Sequence, residues 1–432
     1  MAPDPHAPVR VAFVVPSFAI GGTERVTATV VQGLGEAFEV TVVAPDARGT
    51  AAFLAGTRAA VRPLAIFEPG MRERANGEGA GWEPSPARQL ASRPAVARAA
   101  RTAQAVLRQL TWRRALRLAE HEAGALPRHD VVHVVNGGYP GSTVARAWAA
   151  VAGRATGAAV VLSVHGEAQR RRGIPWLERG IDARVGRGVD AFVVPAGSLA
   201  RALAARRPFA PDRIVAIPNG VADRAPSPPA GAKEGARRRL GVPAGATVVL
   251  SVSRLDVGKG LERLVDGFAL LAQERDDVHL VVVGEGPSAP DLRARVASHS
   301  CTGRVTFTGY LSPTDDAYAA ADVAVLLSEA EGLPLALLEA MMWRLPVVAT
   351  AVGAVPEIVT GGDTGILLAS GDGDAVSAAG AIRSVVADAD VARRMGLAGR
   401  ARYEERYTEA ALVRRHEELY ERLLRERPSA SP

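Results

Sequence analysis

Short runs of β-branched residues alternate with longer helical patterns along the chain, and this alternation restricts it to parallel α/β folds. The first run, VRVAFVVP (9–16), is followed by a helical pattern at 23–35 and by a second run at 38–45. These runs are apolar on both faces, as expected for strands that helices cover on each side. The sequence therefore predicts parallel sheets between layers of helices.

A proline-rich segment, VADRAPSPPAGAKEGA (221–236), interrupts the alternation, which restarts at TVVLSVSR (247–254). A chain of 432 residues is also too long for one typical domain. We therefore predict two Rossmann-like domains that face each other across a cleft, followed by a closing helix. The predicted bounds are 1–222 for the N-terminal domain, 223–236 for a linker, 237–405 for the C-terminal domain and 406–432 for the C-terminal helix.

Composition excludes several classes of protein. The net charge of +6 is modest for this length and acidic residues lie among the basic ones, so we expect no nucleic-acid partner. A single cysteine, Cys301, excludes an internal disulfide and a cysteine-based metal site. The first residues do not resemble a secretory signal, and no apolar run is long enough to span a bilayer. We expect a cytoplasmic protein.

Ligands of open parallel sheets bind beyond the carboxyl ends of the strands, so glycines at those ends are informative. Gly21 and Gly22 join the first strand to the first helix, where a helix N-terminus attracts anions; a plain tight turn is an equal alternative. Gly284 and Gly286, in GEGP, lack the third glycine of a dinucleotide motif. We predict that they shape a loop at the cleft.

Lysine is nearly absent from this arginine-rich chain, and one of its two lysines follows a predicted strand end. Lys259 lies between two glycines in SVSRLDVGKG (251–260), five residues after Arg254. An ammonium there offers a compact charge for phosphate, and a guanidinium can bind the same group with two hydrogen bonds. A solvated surface pair is the alternative. We predict a phosphate site.

Two carboxylates and one histidine also follow predicted strands. Glu331 and Glu339 lie in SEAEGLPLALLEAMMW, the first in a loop and the second in an apolar helix where a buried carboxylate needs a partner. Carboxylates at these places suit sugar hydroxyls, although a surface helix with scattered glutamates is the alternative. His165 ends an apolar strand and is either a proton donor or a packed core histidine, whereas His133, in mid-strand, is expected to be structural.

Together, these motifs resemble the retaining glycosyltransferases of family 4, which have the two-domain GT-B fold. The resemblance extends from about residue 9 to 424 and is strongest over 215–370. The motifs that carry it are GGTERV, VHGE, IPNGV, SVSRLDVGKG, VVVGEGP, VTFTGYL, SEAEGLPLALLEAM and VVATAVGAVPEIV.

The resemblance implies a role for each matching residue. Gly21 and Gly22 would donate backbone N–H groups to the donor diphosphate, Arg254 and Lys259 would hold that diphosphate, and Glu339 would bind the ribose.

The sugar would be contacted by two further side chains. Glu331 would lie beside its anomeric carbon as a stabiliser, and His165 would approach it from the other domain. The other implied donor positions are Tyr310 and Leu311 at the base, Asn219 and Gly284 at the cleft, and Gly332, Leu333, Pro334 and Leu335 beside the sugar.

The resemblance predicts a retaining transfer of a hexose from a nucleotide diphosphate sugar, UDP-linked, to a hydroxyl of a glycan, lipid-linked or small-molecule acceptor. Fixed cations would replace a divalent metal at the diphosphate, so no metal or other cofactor is expected. A sugar-nucleotide epimerase and a non-catalytic nucleotide-sugar-binding subunit are the alternatives. We expect loops near 46–90, 136–145 and 166–187 to choose the acceptor.

Two features depart from the pattern. Residues 87–117 contain eight arginines and no acidic residue, which predicts a basic amphipathic helix that contacts an anionic membrane surface, an anionic acceptor or only solvent. Arg344 stands where the family usually has a glycine that ends a helix in a left-handed conformation. We expect an altered turn there, with Trp343 filling the space.

Overall fold

A computed structural model describes residues 7–16, 21–45, 59–64, 94–169, 175–206, 208–225, 231–371 and 374–427. The chain divides into two compact units. Unit 1 comprises Met1–Pro195, Leu199–Ile217 and Val413–Pro432, and unit 2 comprises Ala196–Ser198 and Pro218–Leu412.

The described part of unit 1 is built on a parallel sheet with strand order β3-β2-β1-β4-β5-β6-β7. Its strands are β1 (Val9–Val14), β2 (Phe38–Ala44), β3 (Ala60–Pro63), β4 (Val131–Asn136), β5 (Ala159–Val164), β6 (Ala191–Val194) and β7 (Ile214–Ala216). The helices that alternate with them are α1 (Gly22–Gly33), α2 (Pro94–Gly124), α3 (Thr143–Thr156), α4 (Pro175–Gly188) and α5 (Gly197–Ala204).

The central strands of unit 1 are buried along their whole length, in β4 and in β5 alike. Helix α3 shows how local sequence sets an element beside them. The Ser142 side chain caps its first turn by accepting a hydrogen bond from the Ala145 N–H, and Gly157 ends it in a left-handed conformation. Trp148, in the middle of the helix, is fully buried.

Unit 2 repeats this architecture, with strand order β10-β9-β8-β11-β12-β13 and all pairs parallel. The strands are β8 (Thr247–Val252), β9 (Val278–Val283), β10 (Val305–Gly309), β11 (Val323–Leu326), β12 (Val347–Thr350) and β13 (Gly365–Leu368). Its helices are α6 (Ala232–Arg239), α7 (Leu261–Glu274), α8 (Ala289–Ser298), α9 (Asp315–Ala320), α10 (Leu335–Met342), α11 (Val355–Ile358), α12 (Ala375–Val386) and α13 (Ala389–Arg406). These two sheets confirm the predicted Rossmann-like fold class.

Both sheets reverse their strand order at one place, between β1 and β4 in unit 1 and between β8 and β11 in unit 2. Loops leave such a switch point in opposite directions and open a crevice at the carboxyl ends of the strands. The segments with Gly21, His165, Lys259 and Glu331 all follow strands at or beside these two places.

Two segments differ from the predicted boundaries. Helix α6 begins at Ala232, within the range 223–236 that we predicted as a linker, and Lys233 and Arg237 fix it by pairing with Asp322 at 2.5 and 2.6 Å. The last described helix, α14 (Glu409–Glu426), contains the boundary between the units, which falls after Leu412.

Candidate functional site

The loops that follow β8 and β11 bring two of the predicted site residues into direct contact. The Nζ atom of Lys259 lies 2.7 Å from Oε1 of Glu331. The Lys259 side chain is 24% exposed and that of Glu331 11%, so this ion pair is largely shielded from water. A pair in such surroundings is screened less by salt than a surface pair.

Arg254, on the same loop as Lys259, remains open to solvent. Its side chain is 75% exposed, and its guanidinium lies 2.8 Å from the Asp256 carboxylate. An exposed guanidinium held by one carboxylate retains donors for a further anion.

Glycines allow the loops of this edge to pack backbone against backbone. A β-carbon at Gly284 would lie 1.9 Å from the Ser253 carbonyl oxygen, and one at Gly260 would lie 1.9 Å from that of Leu327. Gly353, which has φ +53°, approaches Glu331 in the same way, at 1.8 Å. Gly284, predicted as a donor contact, therefore also has a packing function, and Gly260 and Gly353 are site-forming residues that the sequence analysis missed.

The segment after Glu331 is held by Asn219. The buried Asn219 side chain donates a hydrogen bond from Nδ2 to the Leu333 carbonyl oxygen at 2.9 Å. Leu333 is itself buried, and the Gly332 carbonyl oxygen accepts a hydrogen bond from the Ala354 N–H. Pro334 occupies the N-cap position of α10, and Leu335 is the first residue of that helix. The hydrogen bond from Asn219 and the burial of Leu333 thus restrict the shape of this segment.

Glu339 is almost fully buried in α10 and has the partners that its burial requires. The Tyr318 hydroxyl donates to its Oε2 at 2.9 Å, and Arg224 approaches its Oε1 at 3.4 Å. Arg224 also pairs with Asp315 at 2.9 Å. A partner for this carboxylate was expected from its burial, but Tyr318 and Arg224 could not be predicted because no local spacing connects them with Glu339.

The predicted base contacts follow β10. Tyr310 is 65% exposed, and its backbone N–H donates a hydrogen bond to the Glu285 carboxylate at 3.4 Å. Leu311 is half-buried beside it. Glu285 separates Gly284 from Gly286, so the GEGP segment and the Tyr310 segment are neighbours at this edge.

Unit 1 contributes the remaining predicted residues. Gly21 is the N-cap of α1 and Gly22 its first residue, and the Gly21 N–H donates to the Glu24 carboxylate at 2.9 Å. In this structure that N–H is therefore already bonded. His165 follows β5, is half-buried, and donates its backbone N–H to the Asn136 carbonyl oxygen at 3.1 Å.

His133 lies in the core, as predicted. Its Nδ1 is 2.6 Å from the Tyr420 hydroxyl, its Nε2 contacts the Ser163 hydroxyl, and its ring stacks on Phe13. Burial lowers the pKa of His133 well below its usual value, and the neighbouring His416 lowers it further.

The Arg-rich segment predicted as an amphipathic helix coincides in part with α2, and its first residues, 87–93, lie outside the described residues. From residue 109 onward the helix has two faces. Trp112, Ala115, Leu116 and Ala119 are buried, whereas Leu110, Arg113, Arg114 and Arg117 are exposed at positions i, i+3, i+4 and i+7.

The expected altered turn at Arg344 is wrong. Arg344 adopts φ +59°, the left-handed conformation that glycine would supply, so the turn after α10 is retained. Its guanidinium donates to the Ala225 carbonyl oxygen at 2.7 Å, and the Gly396 backbone packs against the Arg344 carbonyl. These contacts compensate for a strained backbone angle.

The described residues contain neither a metal-binding cluster nor a membrane-spanning helix. No group of three or more His, Cys, Asp or Glu side chains in that part of the chain could hold a metal ion. Among the helices described there, none is long and apolar enough to cross a membrane.

Sequence comparison matches both halves of the chain to glycosyltransferase families. Residues 20–224 match the model of Glycosyltransferase Family 4, and residues 232–402 match that of Glycosyl transferases group 1. The N-acetyl-alpha-D-glucosaminyl L-malate synthase of Bacillus anthracis is 31% identical over 44% of this chain and 49% of its own length.

A longer match is the GDP-mannose-dependent alpha-(1-6)-phosphatidylinositol monomannoside mannosyltransferase of Mycobacterium tuberculosis, 32% identical over 64% of this chain and 72% of that protein. The alpha-maltose-1-phosphate synthase of Mycolicibacterium smegmatis is 34% identical over 49% of this chain and 58% of its own length. The aligned part of this chain thus spans about half the length of the first of these relatives.

Solved structures agree in fold. Anabaena HepE in complex with UDP and glucose superposes with a TM-score of 0.72 at 18% identity, covering 96% of this chain and all of that one. Sucrose-phosphate synthase from Thermosynechococcus elongatus gives 0.70 at 20% identity over 97% of this chain and 100% of its own. Two doubly wound units of this kind define the GT-B class of structure.

Within that class the assignment is specific. The chain belongs to the glycosyltransferases of family 4, as the resemblance in its motifs predicted.

Proposed function

We propose that the protein is a retaining glycosyltransferase that moves a hexose from a UDP-linked sugar to an acceptor hydroxyl. The observation that carries this proposal is the shielded ion pair between Lys259 and Glu331 at the strand-order reversal of unit 2. It places a fixed ammonium beside a carboxylate where ligands of such sheets bind. Family membership and the relatives named above support the same reaction type.

Lys259 has the chemistry that the departing nucleotide requires. Cleavage of the sugar–phosphate bond leaves new negative charge on the diphosphate, and a fixed cation stabilises charge that grows in the transition state. One unit charge at ~4 Å and an effective dielectric of ~20 contributes roughly 4 kcal/mol. The exposed guanidinium of Arg254 provides a second cation on the same loop.

Glu331 acts as a stabiliser and positioner. A carboxylate that accepts a hydrogen bond from an ammonium at 2.7 Å is a weakened nucleophile, because part of its charge is already neutralised. Retention then proceeds on one face of the sugar, with the leaving phosphate oxygen taking the proton of the acceptor hydroxyl. Gly22 and His165 keep the roles that the resemblance implies, whereas the Gly21 N–H would exchange its bond to Glu24 for one to the diphosphate.

Glu339 holds the ribose. Its contact with Arg224, 3.4 Å long, is longer than the usual charge-assisted hydrogen bond, so movement of this partly exposed guanidinium would give a ribose hydroxyl access to the buried carboxylate. The bond from Tyr318 meanwhile keeps the carboxylate in place. The exposed Tyr310 segment meets the base. A UDP donor is favoured by the fold match to HepE, which binds UDP, whereas the mannosyltransferase relative uses GDP-mannose.

The cations of the site replace a divalent metal, so we propose that no metal is required. Activity is then expected to be unchanged by EDTA. A loss of activity in EDTA that Mg²⁺ or Mn²⁺ restores would contradict this part of the proposal.

The arginine-bearing face of α2 supports a finer proposal, that the protein associates with an anionic membrane surface from the cytoplasmic side. Leu110 is 57% exposed among Arg113, Arg114 and Arg117, which is the pattern of a helix lying on lipid. Co-sedimentation with phosphatidylglycerol vesicles, lost on charge reversal of these three arginines, tests it. Equal sedimentation with phosphatidylcholine would contradict it.

A panel of UDP-glucose, UDP-N-acetylglucosamine and GDP-mannose tests the main proposal. A donor that binds the folded chain raises the melting temperature. Release of the nucleoside diphosphate is then measured with and without L-malate or vesicles that contain phosphatidylinositol monomannoside, acceptors suggested by the names of two relatives. Acceptor-dependent release, with retained anomeric configuration by NMR, is expected.

Two outcomes would contradict transfer. Conversion of the donor sugar into its epimer without nucleotide release would indicate an epimerase. Binding without turnover of any panel member would indicate a nucleotide-sugar-binding subunit.

A further inference from the structure

Two loops of unit 1 flank His165 and are locked to each other. The first follows β4 and contains Tyr139, and the second runs from Gly166 to Gln169. The Gln169 N–H donates to the Tyr139 carbonyl oxygen at 2.8 Å, and Tyr139 forms an isolated bridge with Ala168. A β-carbon at Gly166 would lie 2.8 Å from the Gly137 carbonyl oxygen. The position of His165 therefore depends on both loops.

A buried charged cluster, formed by Tyr139, Asp182 and Arg206 and here called the Asp182 cluster, supports these loops. The Tyr139 hydroxyl donates to Asp182 Oδ1 at 2.9 Å, and Arg206 Nη2 donates to Asp182 Oδ2 at 3.2 Å. The exposed fractions are 1% for Tyr139, 0% for Asp182 and 6% for Arg206. The guanidinium also lies over the Tyr139 ring, 4.8 Å from its centre.

Arg206 joins the cluster to the second loop as well. Its Nη1 donates to the Gln169 carbonyl oxygen at 2.5 Å. Asp182 lies in α4 and Arg206 just after α5, so the cluster connects both loops to two helices of the unit. One carboxylate thus anchors the first loop directly, through Tyr139, and the second through Arg206.

Stability alone does not explain these residues. A buried ion pair rarely stabilises a protein more than apolar side chains of the same shape, because desolvation offsets the attraction between the charges. A buried ion pair does fix the geometry of its partners, since hydrogen bonds restrict the angle and distance between them. In this cluster the fixed partners are the backbone and side chain of the loops beside His165.

We propose that Tyr139, Asp182 and Arg206 are positioning residues, which hold the two loops and thereby place His165 for sugar transfer without touching the substrate. This proposal rests on the proposed function for the role of His165. The placement of the loops is a property of the chain by itself, and it is measured without any substrate.

The first test is hydrogen exchange of the full chain without ligand. Tyr139→Phe removes one hydroxyl and Asp182→Asn one charge, and both are expected to speed amide exchange in residues 137–142 and 166–169 by about tenfold. Tyr403→Phe, which removes an equally buried hydroxyl of unit 2, and Asp130→Asn, which breaks a pair with Arg10 at the opposite end of β4, are the controls. Unchanged exchange in both loops of Tyr139→Phe would overturn the proposal, even if Asp182→Asn fails to fold.

The second test separates positioning from a general loss of stability. UDP affinity, measured by calorimetry, is expected to stay within twofold of wild type in Tyr139→Phe, while UDP release from UDP-glucose with the acceptor panel falls about tenfold. The double variant with His165→Ala is expected to be no slower than His165→Ala alone. Additive losses would show that the cluster does not act through His165 and would overturn that step.

The two proposals fail in different ways. A wild-type protein that binds no UDP and turns over no sugar nucleotide would contradict the proposed function. Hydrogen exchange would still decide whether the Asp182 cluster holds the loops.

Discussion

The two units differ in the contacts that hold their loops and strands together. In unit 2, loops meet backbone to backbone through Gly260, Gly284 and Gly353, each at a distance that excludes a β-carbon. In unit 1, Gly166 also approaches the Gly137 backbone, but buried polar side chains such as Asp182 and His133 add connections between the loops and strands. Backbone packing fixes a geometry that charge and pH do not alter, whereas buried polar groups depend on protonation and on complete pairing.

The comparison predicts that replacing a close-packed glycine of unit 2 displaces the site, whereas replacing a buried polar side chain of unit 1 changes its response to charge and pH. Four substitutions, each paired with a control, follow from the contacts of the two units.

The largest effect is expected from Lys259→Ala, which leaves Glu331 without its ammonium. At ~1.4 kcal/mol per tenfold, loss of roughly 4 kcal/mol of transition-state stabilisation lowers kcat on the order of a thousandfold. Steady-state UDP release measures it.

Lys233→Ala is the matched control, because Lys233 is the other lysine of the chain and pairs with Asp322 instead. Its kcat is expected to stay within twofold of wild type. Equal losses of kcat in both variants would show that Lys259 has no specific role in the reaction.

Gly353→Ala tests backbone packing. The new methyl group would lie 1.8 Å from the Glu331 carbonyl oxygen, so the Glu331 segment must move. A displacement of about 1 Å can reduce kcat on the order of a hundredfold. Gly362→Ala is the control, since Gly362 also has positive φ, +82°, but nothing lies within 4 Å. Both variants should unfold at lower temperature, whereas only Gly353→Ala should lose activity.

Unit 1 is expected to lose stability in acid through His133. Its pKa is lowered in the folded chain, so the unfolded chain binds the proton more readily and stability falls as pH drops below about 6.5. The slope reaches at most ~1.4 kcal/mol per pH unit for one proton. Urea unfolding at pH 7.5 and 5.5 should show a smaller difference for His133→Gln than for wild type.

A second histidine calibrates that result. Burial also lowers the pKa of His279 in unit 2, but to a smaller extent, so His279→Gln should flatten the pH dependence less than His133→Gln. The reverse order would contradict the contrast between the two units.

The smallest effect is expected at Arg344 in unit 2, the position at which the family usually has a glycine. Arg344→Gly relieves a left-handed angle, by about 1 kcal/mol, but loses the bond to Ala225, worth about the same. Its free energy of unfolding should therefore change little. Ser300→Gly, at φ +55° in an exposed loop, should stabilise the chain by roughly 1 kcal/mol, and urea unfolding distinguishes the two.

Much of unit 2 could be predicted from sequence because its information is local. Apolar runs mark strands buried on both faces, and glycines mark the loops between them. Lys259 was recognisable because lysine is so rare here. Its contact with Glu331 could not be predicted from local sequence, since the two residues are 72 positions apart.

The side chains that complete the two edges could not be predicted. Arg224 and Glu339 are separated by 115 residues, and Arg206 and Asp182 by 24, with no motif connecting either pair. The turn at Arg344 was wrongly expected to be altered. A non-glycine residue disfavours the left-handed conformation but does not exclude it.

Helix α14 has a practical consequence for dissecting the protein. The face of the first sheet that carries Phe13 and His133 is covered by residues from the far end of the chain, among them His416 and Tyr420. A gene fragment that stops at residue 217 would expose this aromatic surface to water and would be prone to aggregate. Independent production of unit 1 therefore requires residues 413–427 to be co-expressed as a separate peptide or joined to it by circular permutation.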